Sequence, residues 1–255
     1  MTQLTIETIL LVAVGGFIAA FIDSVVGGGG LISVPVLLAA GLPPHLALGT
    51  NKLASSMSSL TSTLSFMRSG YVNLRLTGRL LPLTLIGAVG GTVLLQQLPA
   101  DRLRPLVVVL LVLVTAYTLL KKDWGSVSSF RLLTALSGVL IAAAALLLGA
   151  YDGFFGPGTG SFLIFAFLML GFDFMQAAGS AKLLNFGSNI ASLGAFAIFG
   201  MVEYRIGFIM GTAMVLGSLA GSRLAIRQGA RYVRPLFIGI SVVLIVRQVW
   251  TMTAG

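Results

Sequence analysis

Apolar runs recur along the chain at 4–22, 80–98, 105–120, 132–150, 206–222 and 235–250. Each is close to the roughly 20 residues that carry an α-helix across a bilayer. Two further segments, 46–67 and 174–199, are as long but more polar. This pattern predicts an all-α polytopic membrane protein with almost no soluble part. Two places break the pattern. Residues 20–35 read AFIDSVVGGGGLISVP, and residues 150–160 read AYDGFFGPGTG. Glycine costs a helix about 1 kcal/mol and proline about 3 kcal/mol, so the helix should stop at both. Backbone freed from helical hydrogen bonds cannot face lipid. It must be buried in protein or line a wet cavity.

The two breaks belong to an internal duplication. Gly49-Thr50-Asn51-Lys52-Leu53 returns as Gly179-Ser180-Ala181-Lys182-Leu183, an offset of 182 − 52 = 130. The same offset pairs Gly41 with Gly171, Ser58 with Ser188, Gly87 with Gly217, Gly91 with Gly221, and Arg104-Pro105-Leu106 with Arg234-Pro235-Leu236. Asp23-Ser-Val-Val-Gly27 matches Asp152-Gly-Phe-Phe-Gly156 at 129, so one residue was gained or lost in the glycine loop. The reading is repeat 1 over 1–122, a linker at 123–130, and repeat 2 over 131–255. Each repeat is a broken-helix hairpin (4–41; 131–171) followed by three helices. These fall at about 44–67, 76–98 and 103–120, then at about 174–199, 204–226 and 233–251. Duplicated broken helices are the sequence pointer to a transporter's binding site near mid-membrane. The second arm of the first hairpin, about 12 residues or roughly 18 Å, is too short to cross an unthinned bilayer comfortably.

Charge sets the orientation through the positive-inside rule. Inverted repeats put Arg68, Arg75, Arg79, Lys121, Lys122, Arg131, Arg227, Arg231 and Arg234 on the cytoplasmic side, with Arg102, Arg104 and Arg205 outside, nine against three. Parallel repeats give seven against five. The inverted arrangement is favoured, with a cytoplasmic linker and both termini outside. Residues 4–22 lack a basic flank and a cleavage site, so they read as a retained helix.

Lys52 and Lys182 are the costly residues, each about 12 Å into its helix. They either snorkel to the surface, pair with Asp23 or Asp152, or face a ligand; the reading taken is that both contact the anion, with Asn51, Asn185 and Asn189 bonding its oxygens. A polar face accompanies each. Lys52, Ser55, Ser59 and Ser62 share one side of a helix, as do Lys182, Asn185, Asn189 and Ser192. Such residues either glue helices together or line a hydrated path. Asn51 stands beside Lys52. The loops Gly28, Gly29, Gly30 and Gly158, Thr159, Gly160 open into helix N-termini, whose free N–H groups suit an anion. Asp23 and Asp152 would then orient the lysines, cap the hairpin arm or carry a proton. The Gly-x-x-x-Gly pairs Gly87/Gly91 and Gly217/Gly221 fit close helix packing, and Trp124 and Trp250 read as interfacial anchors.

Composition closes off other classes. Only 9% of the 255 residues are charged, so the net charge of +9 belongs to loops rather than to a nucleic-acid surface. There is no cysteine for thiol chemistry or disulfides. No metal-ligand cluster, cofactor motif or paired catalytic acid and base stands out, so the chain does not read as an enzyme. The expected partners are a small anionic substrate and the lipid bilayer; a homodimer is compatible with the sequence.

Phe21-Ile-Asp-Ser-Val-Val-Gly-Gly-Gly-Gly30, Thr50-Asn-Lys-Leu53, Tyr151-Asp-Gly-Phe-Phe-Gly-Pro157 and Ala181-Lys-Leu-Leu-Asn-Phe-Gly-Ser-Asn-Ile190 resemble the TauE/SafE family, also called the sulfite exporter or TSUP family, in its four-glycine subgroup. The likeness runs over essentially the whole chain. It implies a secondary transporter of the bacterial inner membrane that moves small anions, mostly by export: sulfur oxyanions or organosulfonates such as sulfite, thiosulfate or sulfoacetate. Proton coupling would fit the buried carboxylates. A passive anion channel and a non-transporting assembly factor are the alternatives.

Overall fold

A computed structural model of the protein describes residues 5–99, 109 and 135–229. Apart from Val109, the expected helices 103–120 and 233–251, the linker 123–130, both tryptophans, both termini, and Arg102, Arg104, Lys121, Lys122, Arg131, Arg231 and Arg234 lie outside the described residues. Among those described there are eight helices and no strand. They are α1 (Ile6–Val26), α2 (Gly30–Ala39), α3 (Pro44–Arg68), α4 (Leu74–Gln96), α5 (Ala135–Phe154), α6 (Thr159–Met169), α7 (Phe174–Ile198) and α8 (Tyr204–Gln228).

Four of these are long and apolar enough to span a membrane: α1, α4, α8 and, within α5, Ser137–Phe154. Their outer faces expose large apolar side chains such as Leu10, Ile86, Leu147 and Leu216, which lipid would cover. Helices α3 and α7 are 25 residues each but bury their polar side chains in the centre of the molecule. Helices α2 and α6 have 10 and 11 residues, only about 15–17 Å of rise. They fold back as the short arms of two hairpins.

The ends have local causes. Thr5 caps α1 by accepting from Thr8 N–H, Asn73 caps α4 through Leu76 N–H, and Asp173 caps α7 through Gln176 N–H. α1 runs past Asp23 and stops where Gly27 and Gly28 take φ of +78° and +85°. Only glycine enters that left-handed region without penalty. The second break has Gly156 at +98° and Gly158 at +89°. Asp23 and Asp152 therefore sit in the last turn of a helix, not in the loop.

The two repeats are interleaved. Gly217 and Gly221 of α8 lie on the backbone of Phe17 and Phe21 in α1, while Gly87 and Gly91 of α4 lie on the backbone of Leu146 and Ala150 in α5. These are equivalent contacts under the duplication, each made across the repeats. Their lack of side chains lets the helices approach backbone to backbone. Thr50 Oγ1 accepts from Glu203 N–H at 2.9 Å, and its counterpart Ser180 Oγ accepts from Asn73 N–H at 3.2 Å. Contact registers give direction. Gly207 and Gly211 of α8 meet Leu53 and Met57 of α3, so these helices run the same way. Gly49 and Lys52 of α3 meet Phe196 and Asn189 of α7, so these two run oppositely.

Candidate functional site

The tips of the two hairpins touch at the middle of the molecule. Gly27 packs against Gly160 and Ser161, Gly30 packs against Pro157, and Ser161 Oγ donates to Val26 O at 3.2 Å. The long polar helices α3 and α7 pass beside this junction. Between them lies a small polar cavity. Its enclosed space suits a few waters or one compact ion, not a nucleotide or a lipid.

The walls contain most of the residues singled out from the sequence: Asp23, Gly28, Gly29, Gly30, Asn51, Lys52, Ser55, Asp152, Gly158, Gly160, Asn185 and Asn189. Three others do not reach the lining. Ser59 Oγ turns back onto Ser55 O of its own helix at 2.6 Å, and Thr159 Oγ1 donates to Gly156 O at 2.7 Å. Lys182 is consumed elsewhere, as described below. Three lining residues were not picked out from the sequence as site residues: Ser58, Gly156 and Met214. The duplication had paired Ser58 with Ser188 and the loop match had paired Gly27 with Gly156, but neither Ser58 nor Gly156 was read as a site residue. Nothing in the sequence marked Met214, which α8 brings in from the other side.

Each lysine pairs with the aspartate of the other repeat. Lys52 Nζ lies 3.0 Å from Asp152 Oδ2, and Lys182 Nζ lies 2.7 Å from Asp23 Oδ2. The sequence allowed either partner. The interleaving of the repeats decides it, because each long helix meets the hairpin of the other half. Snorkelling is excluded for both lysines, since each is only 1% exposed.

The two pairs differ in detail. Lys182 donates to both Asp23 Oδ2 and the Asp23 carbonyl, and Asp23 Oδ1 accepts from Gly29 N–H at 3.0 Å. The carboxylate thus ties α1, the start of α2 and α7 together. Lys52 donates to Asn189 Oδ1 at 3.1 Å. It also lies in salt-bridge contact with Asp152, and beyond that contact Asp152 Oδ2 has no partner among the described residues. Around them, Asn51 Oδ1 accepts from Ser33 Oγ at 2.6 Å and from Ser55 Oγ at 3.4 Å. The second hairpin is braced separately. Tyr151 donates its hydroxyl to Pro157 O at 2.6 Å, and its ring makes edge contacts with Phe155 and Phe162.

Buried charges, amides and glycine backbone gathered where two broken helices meet inside a bundle of apolar spans define a membrane transport protein rather than a soluble binding module. The family model described as Sulfite exporter TauE/SafE matches residues 12–247, and the chain belongs to that family. It is 40% identical over 251 residues to a "Probable membrane transporter protein ORF9" of Sinorhizobium sp, covering 97% of this chain and 94% of the relative. It is 40% identical over 228 residues to "Probable membrane transporter protein YfcA" of Escherichia coli K12, covering 89% and 84%. A "Probable membrane transporter protein" of Haemophilus influenzae is 37% identical over 237 residues, 92% of each chain. No solved structure matches the chain. The protein is thus a multi-pass membrane transporter of the TauE/SafE family, and these relatives are named as transporters rather than as enzymes.

Proposed function

We propose that the protein is a secondary transporter, working as an exporter, of a small sulfur oxyanion or organosulfonate such as sulfite, thiosulfate or sulfoacetate, coupled to protons across the bacterial inner membrane. The observation that carries this reading is Lys52. Its ammonium is buried yet stands in the wall of the polar cavity, beside the amides of Asn51, Asn185 and Asn189 and the glycine loops. A buried ammonium with amide and backbone N–H donors around it suits a compact oxyanion. The family's description as a sulfite exporter supports the sulfur chemistry.

Inverted repeats with both termini outside are part of the proposal. The opposed course of the equivalent helices α3 and α7 supports the inversion, and the arginine distribution supports the orientation. The cavity then lies where both halves reach it, as alternating access requires.

Counterflow of labelled sulfite in proteoliposomes, competed with thiosulfate, sulfoacetate, sulfate and taurine, tests the function. Saturable, competed exchange is expected, and Lys52→Ala should abolish it while leaving folded protein. Wild-type exchange by Lys52→Ala would overturn the assignment of Lys52. Flux that never saturates would favour a passive channel instead.

A further inference from the structure

We infer that the two lysine–aspartate pairs, equivalent by descent, do different work: Asp23–Lys182 is a fixed strut, and Asp152 is the carboxylate that takes up a proton when an anion takes Lys52. This rests on the anion-transport reading above and assigns its coupling to one atom group.

The geometry separates the two carboxylates. Both oxygens of Asp23 are engaged, one by Gly29 N–H and one by Lys182, and Lys182 does not face the cavity. The first hairpin therefore uses its aspartate as a cap for the short arm. In the second hairpin other groups brace the turn: the Tyr151 hydroxyl on Pro157 O and the Thr159 hydroxyl on Gly156 O. Asp152 is released from that duty. Its Oδ2, buried and without a hydrogen bond, is held only by the ion pair with Lys52.

Among the described residues, the other titratable group beside Asp152 is the Tyr151 phenol, whose hydroxyl is engaged. α3 contributes Lys52, and α7 contributes Asn189 on that lysine, with Lys182 committed to Asp23. α1 contributes Asp23 across the cavity. α4 packs Thr84, Gly87, Ala88, Gly91 and Thr92 against α5, none titratable. The neighbouring Tyr151 donates its hydroxyl to Pro157 O.

Charge then dictates the step. With both pairs made, the site sums to zero. An anion that binds Lys52 displaces Asp152 and leaves two negative groups about one ammonium in a buried place. A proton from water on Asp152 removes that repulsion: carboxylate, proton and free anion become a neutral carboxyl and an anion paired with Lys52. No electron moves, and release of the anion returns the proton.

The test is titration calorimetry of thiosulfate, which does not itself titrate near neutral pH, into the purified protein. It is run in buffers of different ionisation enthalpy, which counts protons taken up per anion bound. Wild type should take up about one proton per anion if a single carboxyl titrates. Asp152→Asn should bind with no uptake. In proteoliposomes it should lose accumulation driven by a pH gradient. Asp152→Glu should keep the uptake and shift the infrared band of a protonated carboxyl that thiosulfate induces in wild type; this arm decides the matter if the Asn variant does not fold. Binding by wild type without proton uptake, continued uptake by Asp152→Asn, or loss of binding by folded Asp152→Asn would each overturn the proposal while leaving the anion reading in place. No binding of any sulfur anion by wild type would defeat both.

Discussion

If Asp23–Lys182 is a strut, its removal should be felt in stability, and a double-mutant cycle isolates it. Lys182→Met keeps most of the side-chain volume but strands the Asp23 carboxylate. Breaking a buried ion pair from one side costs about 3–5 kcal/mol. Asp23 keeps its bond from Gly29 N–H, and its side chain is 17% exposed, so the loss should fall to about 2–3 kcal/mol, below the fully buried range. Asp23→Asn leaves the Lys182 ammonium, 1% exposed, with a neutral partner and the residue-23 carbonyl; about 3 kcal/mol is expected. The double variant removes both charges. It should be more stable than the sum of the singles by about 2 kcal/mol, well beyond the roughly 0.5 kcal/mol within which independent sites add. Reversible unfolding in mixed SDS micelles, followed by far-UV circular dichroism, reads these values. Additive losses at Asp23 and Lys182 would refute the strut.

Two further outcomes follow from the geometry. A Cβ on Gly156 would lie 3.0 Å from Lys52 Nζ and 3.3 Å from Asp152 Oδ1 at a φ of +98°, so Gly156→Ala should crowd the lysine ammonium and cost about 1–2 kcal/mol in backbone strain; thiosulfate affinity and unfolding read both effects, and an unchanged protein would contradict the site geometry. The chain has no cysteine, so single cysteines report topology directly: Ser69→Cys should react with a membrane-impermeant maleimide only from the cytoplasmic side and Tyr204→Cys only from outside, and labelling of both from one side would overturn the inverted arrangement.

The membrane class was legible because hydropathy alone reports it, and the helix breaks because glycine and proline act locally. The contact pattern was half legible. The duplication told which residues should be equivalent, and the structure gives Gly87/Gly91 and Gly217/Gly221 matching roles on α5 and α1. It did not tell which half each residue would touch. The crossed pairing of Lys52 with Asp152 and of Lys182 with Asp23 arises from the interleaving of helices, a tertiary property with no local signature. The polar face was also ambiguous by nature. A serine that lines a cavity and one that bonds its own helix occupy the same helical register. Ser55 and Ser58 line the cavity, whereas Ser59 and Ser62 turn back to carbonyls of α3. Met214 enters from α8, whose sequence reads as an ordinary span.

The hairpin tips are where the duplicated halves diverge, and the single-residue difference between offsets of 129 and 130 falls there. In repeat 1 four glycines remove every side chain from the turn, so the cap must come from Asp23, the nearest acceptor on α1. In repeat 2 Pro157 and Thr159 stand in the turn, and Tyr151 stands where repeat 1 has Ile22. A hydroxyl from each of Tyr151 and Thr159 now closes the loop, so the carboxylate six residues before Gly158 is no longer needed to hold it. On the division of roles proposed above, a symmetric scaffold thereby carries one fixed charge pair and one that an anion can open. Two rigid pairs would leave no ammonium free for an anion, and two loose ones would leave the broken helices unpinned where backbone must stay satisfied. Divergence at the turn resolves that conflict without disturbing the helix packing the two halves share.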